Sequence, residues 1–303
     1  MGSFGYFSSI LEPDSYWNNL TRWLPDRLRY RKGPLRTGTI TGVISGEVIS
    51  GWGWKIPENN LGIWSPEQTN LLWSQVENEL RKKEITIIGI DPASSFLPPV
   101  QQIRGPLLPG ISDGKTLELL FFLNYFRKIL RTYEICASKA KAVIVWEEGN
   151  LGVACARLIA GDVRFLTLIH PHLHKLEQAA EIVFAESGIS PQIYTELPQD
   201  FKGSKIIIRC GKLIKYNTQI TASRIIKCEL FKNYPTLSML NSKIPLEAKC
   251  NSGNLPFYPV LGETIIREAF GLQKGIWFGT ELTLERVNQL ARALKALGFP
   301  NFL

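Results

Sequence analysis

Residues 142–152 read Ala142-Val143-Ile144-Val145-Trp146-Glu147-Glu148-Gly149-Asn150-Leu151-Gly152. The first five are apolar and mostly β-branched, the composition of a strand buried on both faces. Two acids and a glycine end the run. From Gly149 to Ala160 the spacing is helical, so a helix starts with almost no linker. A strand that turns at a glycine straight into a helix is half of a parallel βαβ unit. Further strands are predicted at Val163–Ile169, Gln192–Tyr194 and Lys205–Arg209, with a helix at Leu173–Ser187. Such alternation predicts a parallel sheet.

The turn can be compared with the dinucleotide-binding fingerprint G-x-G-x-x-G. There the first glycine makes the turn, the second admits the pyrophosphate and the third lets the helix pack on the sheet. Gly149 and Gly152 fill the second and third places, and Glu147 stands in the first. The unit from about Lys141 to Cys210 therefore reads as Rossmann-type, with Gly149, Asn150, Leu151 and Gly152 as candidate cofactor-binding residues. Phosphates would rest on amides at the helix N-terminus, while the carboxylates of Glu147 and Glu148 oppose them. A purely structural βαβ unit is the competing reading. An acid after the second strand would read the ribose of NAD. Here the strand is followed by His170-Pro171-His172-Leu173-His174-Lys175. His170 holds the recognition position, so NADP is expected over NAD if a cofactor binds. The chain's 3 histidines all lie in this cluster. No metal site is expected there, because helix-start residues exposed on a loop account for them.

Working outward, the 303 residues suffice for two modest domains, and the hydrophobic fraction of 45% suits a globular protein. The net charge of +8 suggests anionic partners without choosing among them. No transmembrane helix and no signal peptide is expected, and the 5 cysteines are irregularly spaced, so a cytoplasmic location is expected. Arg27, Arg29, Arg31 and Lys32 alternate with apolar residues. They fit a solvated edge strand, or a docking patch for an acidic carrier protein or anionic surface. Strands are expected over Thr39–Val43 and Glu47–Ser50, with glycines at the turns. A helix should open at Pro66 and run to about Lys83, presenting Leu71, Leu72, Val76 and Leu80 on one face. Ile85–Ile90 is a strand, and residues 91–112 read as a long proline-rich loop. Asp113 caps a helix to about Arg131. Residues 216–254 give only short strands and loops, whereas 259–271 and 283–297 are helical. No nucleic-acid-binding module is visible.

Chemistry in this architecture would lie at the carboxyl edge of the sheet, between the domains. Cys210 follows the strand there and is a candidate nucleophile, with a buried incidental thiol as the plainer reading. Asp113 and Lys115 begin the long helix: Asp113 reads first as a cap, Lys115 as a substrate-binding or proton-transfer group.

Several segments together resemble the aldehyde-forming long-chain acyl-(acyl-carrier-protein) reductases and the shikimate- or amino-acid-dehydrogenase-like proteins related to them. They are Phe4-Gly5-Tyr6-Phe7-Ser8-Ser9-Ile10, Gly46-Glu47-Val48-Ile49-Ser50-Gly51, Asp113-Gly114-Lys115-Thr116, Gly262-Glu263-Thr264-Ile265-Ile266, Trp277-Phe278-Gly279, Leu282-Thr283-Leu284-Glu285 and Leu297-Gly298-Phe299. The resemblance implies an NAD(P)-dependent oxidoreductase acting on a carbonyl or acyl substrate. It also marks departures: Val260 where the reductases carry an acylated cysteine, Glu147 for the first loop glycine, His170 for a basic residue, and Lys115 and Leu117 for a polar pair. Those departures favour a second reading, a non-catalytic binding or regulatory protein on the same scaffold. The expected architecture is α/β, with an N-terminal α/β domain over 1–136, a Rossmann-type domain over 137–263, and residues 264–303 returning to pack on the first.

Overall fold

The computed structural model describes residues 3–8, 34–56, 65–91, 109–196, 206–211, 226–230, 246–250, 253–255, 258–272, 275–277 and 282–299. The basic run Arg27–Lys32 lies outside the described residues. The strands in chain order are β1 (Ser3–Ser8), β2 (Leu35–Ile44), β3 (Glu47–Lys55), β4 (Ile85–Ile90), β5 (Gly110–Ser112), β6 (Lys141–Trp146), β7 (Phe165–Ile169), β8 (Gln192–Tyr194), β9 (Ile206–Cys210), β10 (Ile226–Leu230), β11 (Leu246–Cys250), β12 (Gly253–Leu255) and β13 (Ile276–Trp277). The helices are α1 (Pro66–Lys82), α2 (Lys115–Thr132), α3 (Leu151–Ile159), α4 (Leu173–Ser187), α5 (Pro259–Ala269) and α6 (Leu284–Ala296).

The chain divides into two compact units. The first comprises Met1–Leu117, Ser242–Phe278 and Arg292–Phe299; the second comprises Glu118–Asn241, Gly279–Ala291 and Pro300–Leu303. In the first, a mixed sheet runs β12-β11-β2-β3-β1-β4-β5-β13. From β3 to β13 neighbours are parallel, and from β12 to β3 they are antiparallel. Ser45 and Gly46, with φ of 50° and 85°, make the two-residue hairpin turn between β2 and β3. That double left-handed turn matches the twist of the strands it joins. α5 packs on β4, β1 and β2, as expected of a C-terminal helix returning to the first sheet.

α1 starts where its sequence says it should. The Ser65 hydroxyl accepts from the Gln68 amide, the Gln68 side chain accepts from the Ser65 amide, and Pro66 opens the first turn. Its buried face carries Leu72, Trp73, Val76 and Leu80, while Leu71 is 62% exposed. Leu71 was expected inside; the indole of Trp73 takes that place. It joins Phe7 and Trp54, whose rings stack 4.7 Å apart.

The second unit holds an all-parallel sheet ordered β10-β9-β6-β7-β8. Numbered in chain order and read from the β8 edge, this is 3-2-1-4-5, the Rossmann-type arrangement. β6 is central and buried from Ala142 to Trp146. α3 packs on β6 and against α4, and α4 covers β7 and β8.

Three expectations need correcting. Gly110–Ser112, expected within a loop, is a strand between β4 and β13; with three residues it is too short to show a period. Residues 160–162, next to the expected start of β7, form a 3₁₀ turn before the strand begins at Phe165. Leu246–Cys250, assigned to the second domain by sequence, pairs antiparallel with β2 in the first sheet, and Gly253–Leu255 pairs with it in turn.

Candidate functional site

In an open parallel sheet, ligands bind at the carboxyl ends of the strands, where the strand order reverses. Here the reversal falls between β6 and β9, whose last residues, Trp146 and Cys210, lie opposite each other. The turn after β6 passes through Gly149 at φ 55°, a conformation that glycine reaches at little steric cost. α3 then begins, with Asn150 as its N-cap and Leu151 and Gly152 in its first turn. All four predicted cofactor-binding positions of this segment thus lie on one turn at the expected edge. Glu147 is half-buried and Glu148 exposed beside them.

The side chain of Asn150 has a specific task. Its Nδ2 donates to the Leu282 carbonyl (3.0 Å), and its Oδ1 accepts from the Leu282 amide (2.7 Å). The pair fastens Leu282, two residues before α6, to the glycine turn. Gly152 has a different role. A Cβ placed on it would lie 2.2 Å from Cδ2 of Trp146, which is fully buried. The third glycine of the pattern therefore serves helix–strand packing, with an indole as its neighbour.

His170 follows β7 as expected, but it is wholly buried. Its Nδ1 accepts from the His172 amide (3.0 Å), which puts the ring proton of the neutral form on Nε2. Among the described residues Nε2 completes no hydrogen bond. The imidazole lies 4.9 Å from the Trp146 ring, centroid to centroid. Burial, with help from the Lys175 charge, lowers its pKa and keeps it neutral. His172 and His174 continue the row of rings at 5.4 and 6.0 Å spacing and are exposed, with Lys175 half-buried. Cys210 is 1% exposed. The open position foreseen for this thiol is thus closed off, which favours the plainer reading of a buried sulfur.

In the first unit, Asp113 and Lys115 meet. Asp113 Oδ1 accepts from the Lys115 amide (3.2 Å), and its Oδ2 lies 3.1 Å from the Lys115 Nζ. Asp113 thus serves both as a cap and as an ion-pair partner. Between them Gly114 takes φ 77°, and a Cβ on it would fall 2.4 Å from the Val260 nitrogen. Backbone meets backbone here, which only glycine allows. Val260 is buried on α5.

Sequence reasoning gave no role to the groups behind this turn. Glu263 of α5 is fully buried; Oε1 accepts from the Ser112 hydroxyl (2.6 Å) and Oε2 from the Leu117 amide (2.9 Å). Burial, reinforced by Asp113, raises its pKa to about 7 against the opposing charge of Arg267. Arg267 is also fully buried. It donates to the carbonyls of Ile111 (2.7 Å), Leu272 (3.0 Å) and Gly275 (3.1 Å), and its guanidinium lies 4.0 Å from the Trp277 ring centroid. At the ends of β1 and β4, the Ser8 hydroxyl donates to buried Asp91 (3.3 Å). Burial pushes the neighbouring Tyr6 phenol far above its ordinary range. The signal for Glu263 and Arg267 was present in the sequence: charges one turn apart on a helix that interleaves them with Val260, Leu261, Ile265 and Ile266.

Among the described residues, no group of histidine, cysteine or acidic side chains is placed to hold a metal ion. No described helix is long and apolar enough to cross a membrane.

No protein-family model matches the sequence, and no curated protein matches it. Solved structures with distant similarity include L-tryptophan dehydrogenase from Nostoc punctiforme, with 13% identity, TM-score 0.37, and 97% of this chain and 81% of that chain covered. The ligand-free 5-ketofructose reductase of Gluconobacter sp. strain CHM43 shows 12% identity and TM-score 0.36, with 98% of each chain covered. Shikimate dehydrogenase from Aquifex aeolicus shows 13% identity and TM-score 0.35, covering 96% of this chain and 98% of that one.

Proposed function

We propose that this chain binds a nicotinamide dinucleotide, NADP in preference to NAD, and acts as an oxidoreductase on a carbonyl or acyl substrate. The observation that carries the reading is the glycine turn at the reversal point: left-handed Gly149 leads from the central strand directly into α3. The residues fit the group. The amides of Asn150, Leu151 and Gly152 are at a helix N-terminus, where oriented N–H groups and the helix dipole suit phosphate oxygens. No acid follows β7 to read a ribose hydroxyl. The exposed His172 and His174 and half-buried Lys175 would meet a 2′-phosphate in place of buried His170. The dinucleotide, when bound, supplies or accepts the hydride. In the first unit, Lys115 would hold the substrate oxygen or its proton at Nζ, with Asp113 fixing the ammonium group.

A second reading is a binding or regulatory protein that keeps the fold without turnover. Glu147 and Glu148 beside the turn favour it, as does Val260 in place of a nucleophile. Titration of the purified protein with NADPH and NADH, followed by nucleotide fluorescence, tests the binding step. Saturable NADPH binding tighter than NADH binding is expected. Absence of binding by either nucleotide at millimolar concentration would discard the oxidoreductase reading.

A further inference from the structure

The turn that carries Asp113 and Lys115 is gripped from behind by one carboxyl group. Ser112, at one end, donates to Glu263 Oε1; Leu117, at the other, donates to Oε2. The Gly114 amide also reaches Ser112 Oγ (3.3 Å), and Gly114 rests on the Val260 backbone. α5 therefore supports the turn at three points. The Asp113–Lys115 pair lies between the two outer contacts, and the Asp113 amide is held as well by the Trp277 carbonyl (3.1 Å).

We propose that Glu263 is a positioning residue that clamps both ends of the Ser112–Leu117 turn and holds the Asp113–Lys115 pair in either protonation state, by reversing the sense of its hydrogen bond to Ser112. The chemistry of the two donors requires this asymmetry. An amide N–H can only donate, so Oε2 must remain an acceptor for Leu117. A hydroxyl can donate or accept. When Glu263 is ionised, the Ser112 O–H donates to Oε1. When Oε1 carries a proton, that O–H donates to Ser112 Oγ, and the serine O–H turns away from Oε1. The turn keeps its place while the charge behind it changes by one unit.

Two charged groups act on the carboxyl: Arg267 one turn along α5, which favours the anion, and Asp113 on the turn, which opposes it. With burial added, the proton is held to about pH 7, so both states are populated near neutrality. The proposal rests on the reading of Lys115 as the substrate-facing group. It gives that group a neighbour whose charge changes in the range where it would work.

Trace acetylation of Lys115 with acetic anhydride, quantified by mass spectrometry from about pH 5.5 to 9, tests this without nucleotide or substrate. Failure to bind NADPH would leave its outcome untouched. The wild-type rate profile should bend near pH 7. Glu263→Gln, which copies the protonated carboxyl with an amide that donates to Ser112 and accepts from Leu117, should remove the bend and leave Leu117 amide exchange slow. Glu263→Leu, which can do neither, should speed exchange at Leu117 about tenfold or more. If the leucine variant fails to fold, the glutamine variant alone decides. Superimposable wild-type and glutamine profiles, or fast Leu117 exchange in the glutamine variant, would overturn the proposal.

Discussion

Trp146 and Gly152 occupy one space: the indole at the end of β6 covers the α-carbon of the glycine in the first turn of α3, and a methyl group there would sit 2.2 Å from ring carbon Cδ2. Trp146 is fully buried and has no room to yield. Gly152→Ala should therefore destabilise the second unit by about 1–3 kcal/mol, despite the better helix propensity of alanine. Chemical denaturation measures it. Pairing the change with Trp146→Leu should recover much of the loss relative to Trp146→Leu alone. Additive costs in that double-mutant cycle would mean that the contact does not limit the site.

Glu147 stands where the dinucleotide fingerprint carries its first glycine. Glu147→Gly removes a carboxylate from beside the phosphate turn, which is worth about 1 kcal/mol in a partly desolvated site. NADPH should then bind roughly 5-fold tighter. Weaker binding by the variant in a fluorescence titration would give Glu147 a positive role in holding the ligand.

The stability of the first unit should depend on pH through Glu263. Its carboxyl is raised from 4.5 to about 7 in the folded state, so the folded chain holds the proton more tightly than the unfolded one. The associated stability is fully present below about pH 4.5 and is lost as pH rises to about 7. The span corresponds to roughly 3 kcal/mol. Glu263→Gln should flatten this slope and unfold at higher urea than wild type at pH 8. A variant with an unchanged slope between pH 5 and 7 would assign the dependence to other groups.

Arg267 presents a buried charge satisfied by three carbonyls and an indole face. Arg267→Met keeps the stem but takes the guanidinium from the Ile111, Leu272 and Gly275 carbonyls, of which Gly275 keeps the Ile111 amide as a donor. A loss of about 3–5 kcal/mol is expected. Arg267→Lys should recover only part of it, because one ammonium cannot match the fork of a guanidinium. Equal stability of wild type and the methionine variant in urea would refute the account.

The second unit was largely legible because its signals are local. Val143–Trp146, Gly149 and Leu173–Ser187 each announce their own structure through period and glycine placement. The first sheet was legible only in part. β11 depends on pairing with β2, some two hundred residues earlier in the chain, and β12 in turn on β11; no period within five residues can reveal such a partner. The positions of the proposed site could be named, yet their surroundings could not. Asp113 and Lys115 were visible as a helix start. The grip of Glu263 on their turn, the burial of His170 and the closure of Cys210 come from tertiary packing that composition does not encode.

The order of strands also has a consequence during synthesis. β6 is the first strand of its sheet to emerge and the central one in the finished sheet, with Ala142 paired to Leu166 on one side and to Ile206 on the other. One flank is covered soon after it leaves the ribosome, and the other waits for Ile206–Cys210. β2 waits longer still, since its outer edge is paired only by Leu246–Cys250. Until Ile206–Cys210 emerges both edges are open, and until Leu246–Cys250 emerges that of β2 still is, each a template for pairing with the wrong neighbour. A chain arrested before Leu246 should thus be markedly more dependent on chaperones than the finished protein, and its first sheet, not its second, should be the part they hold.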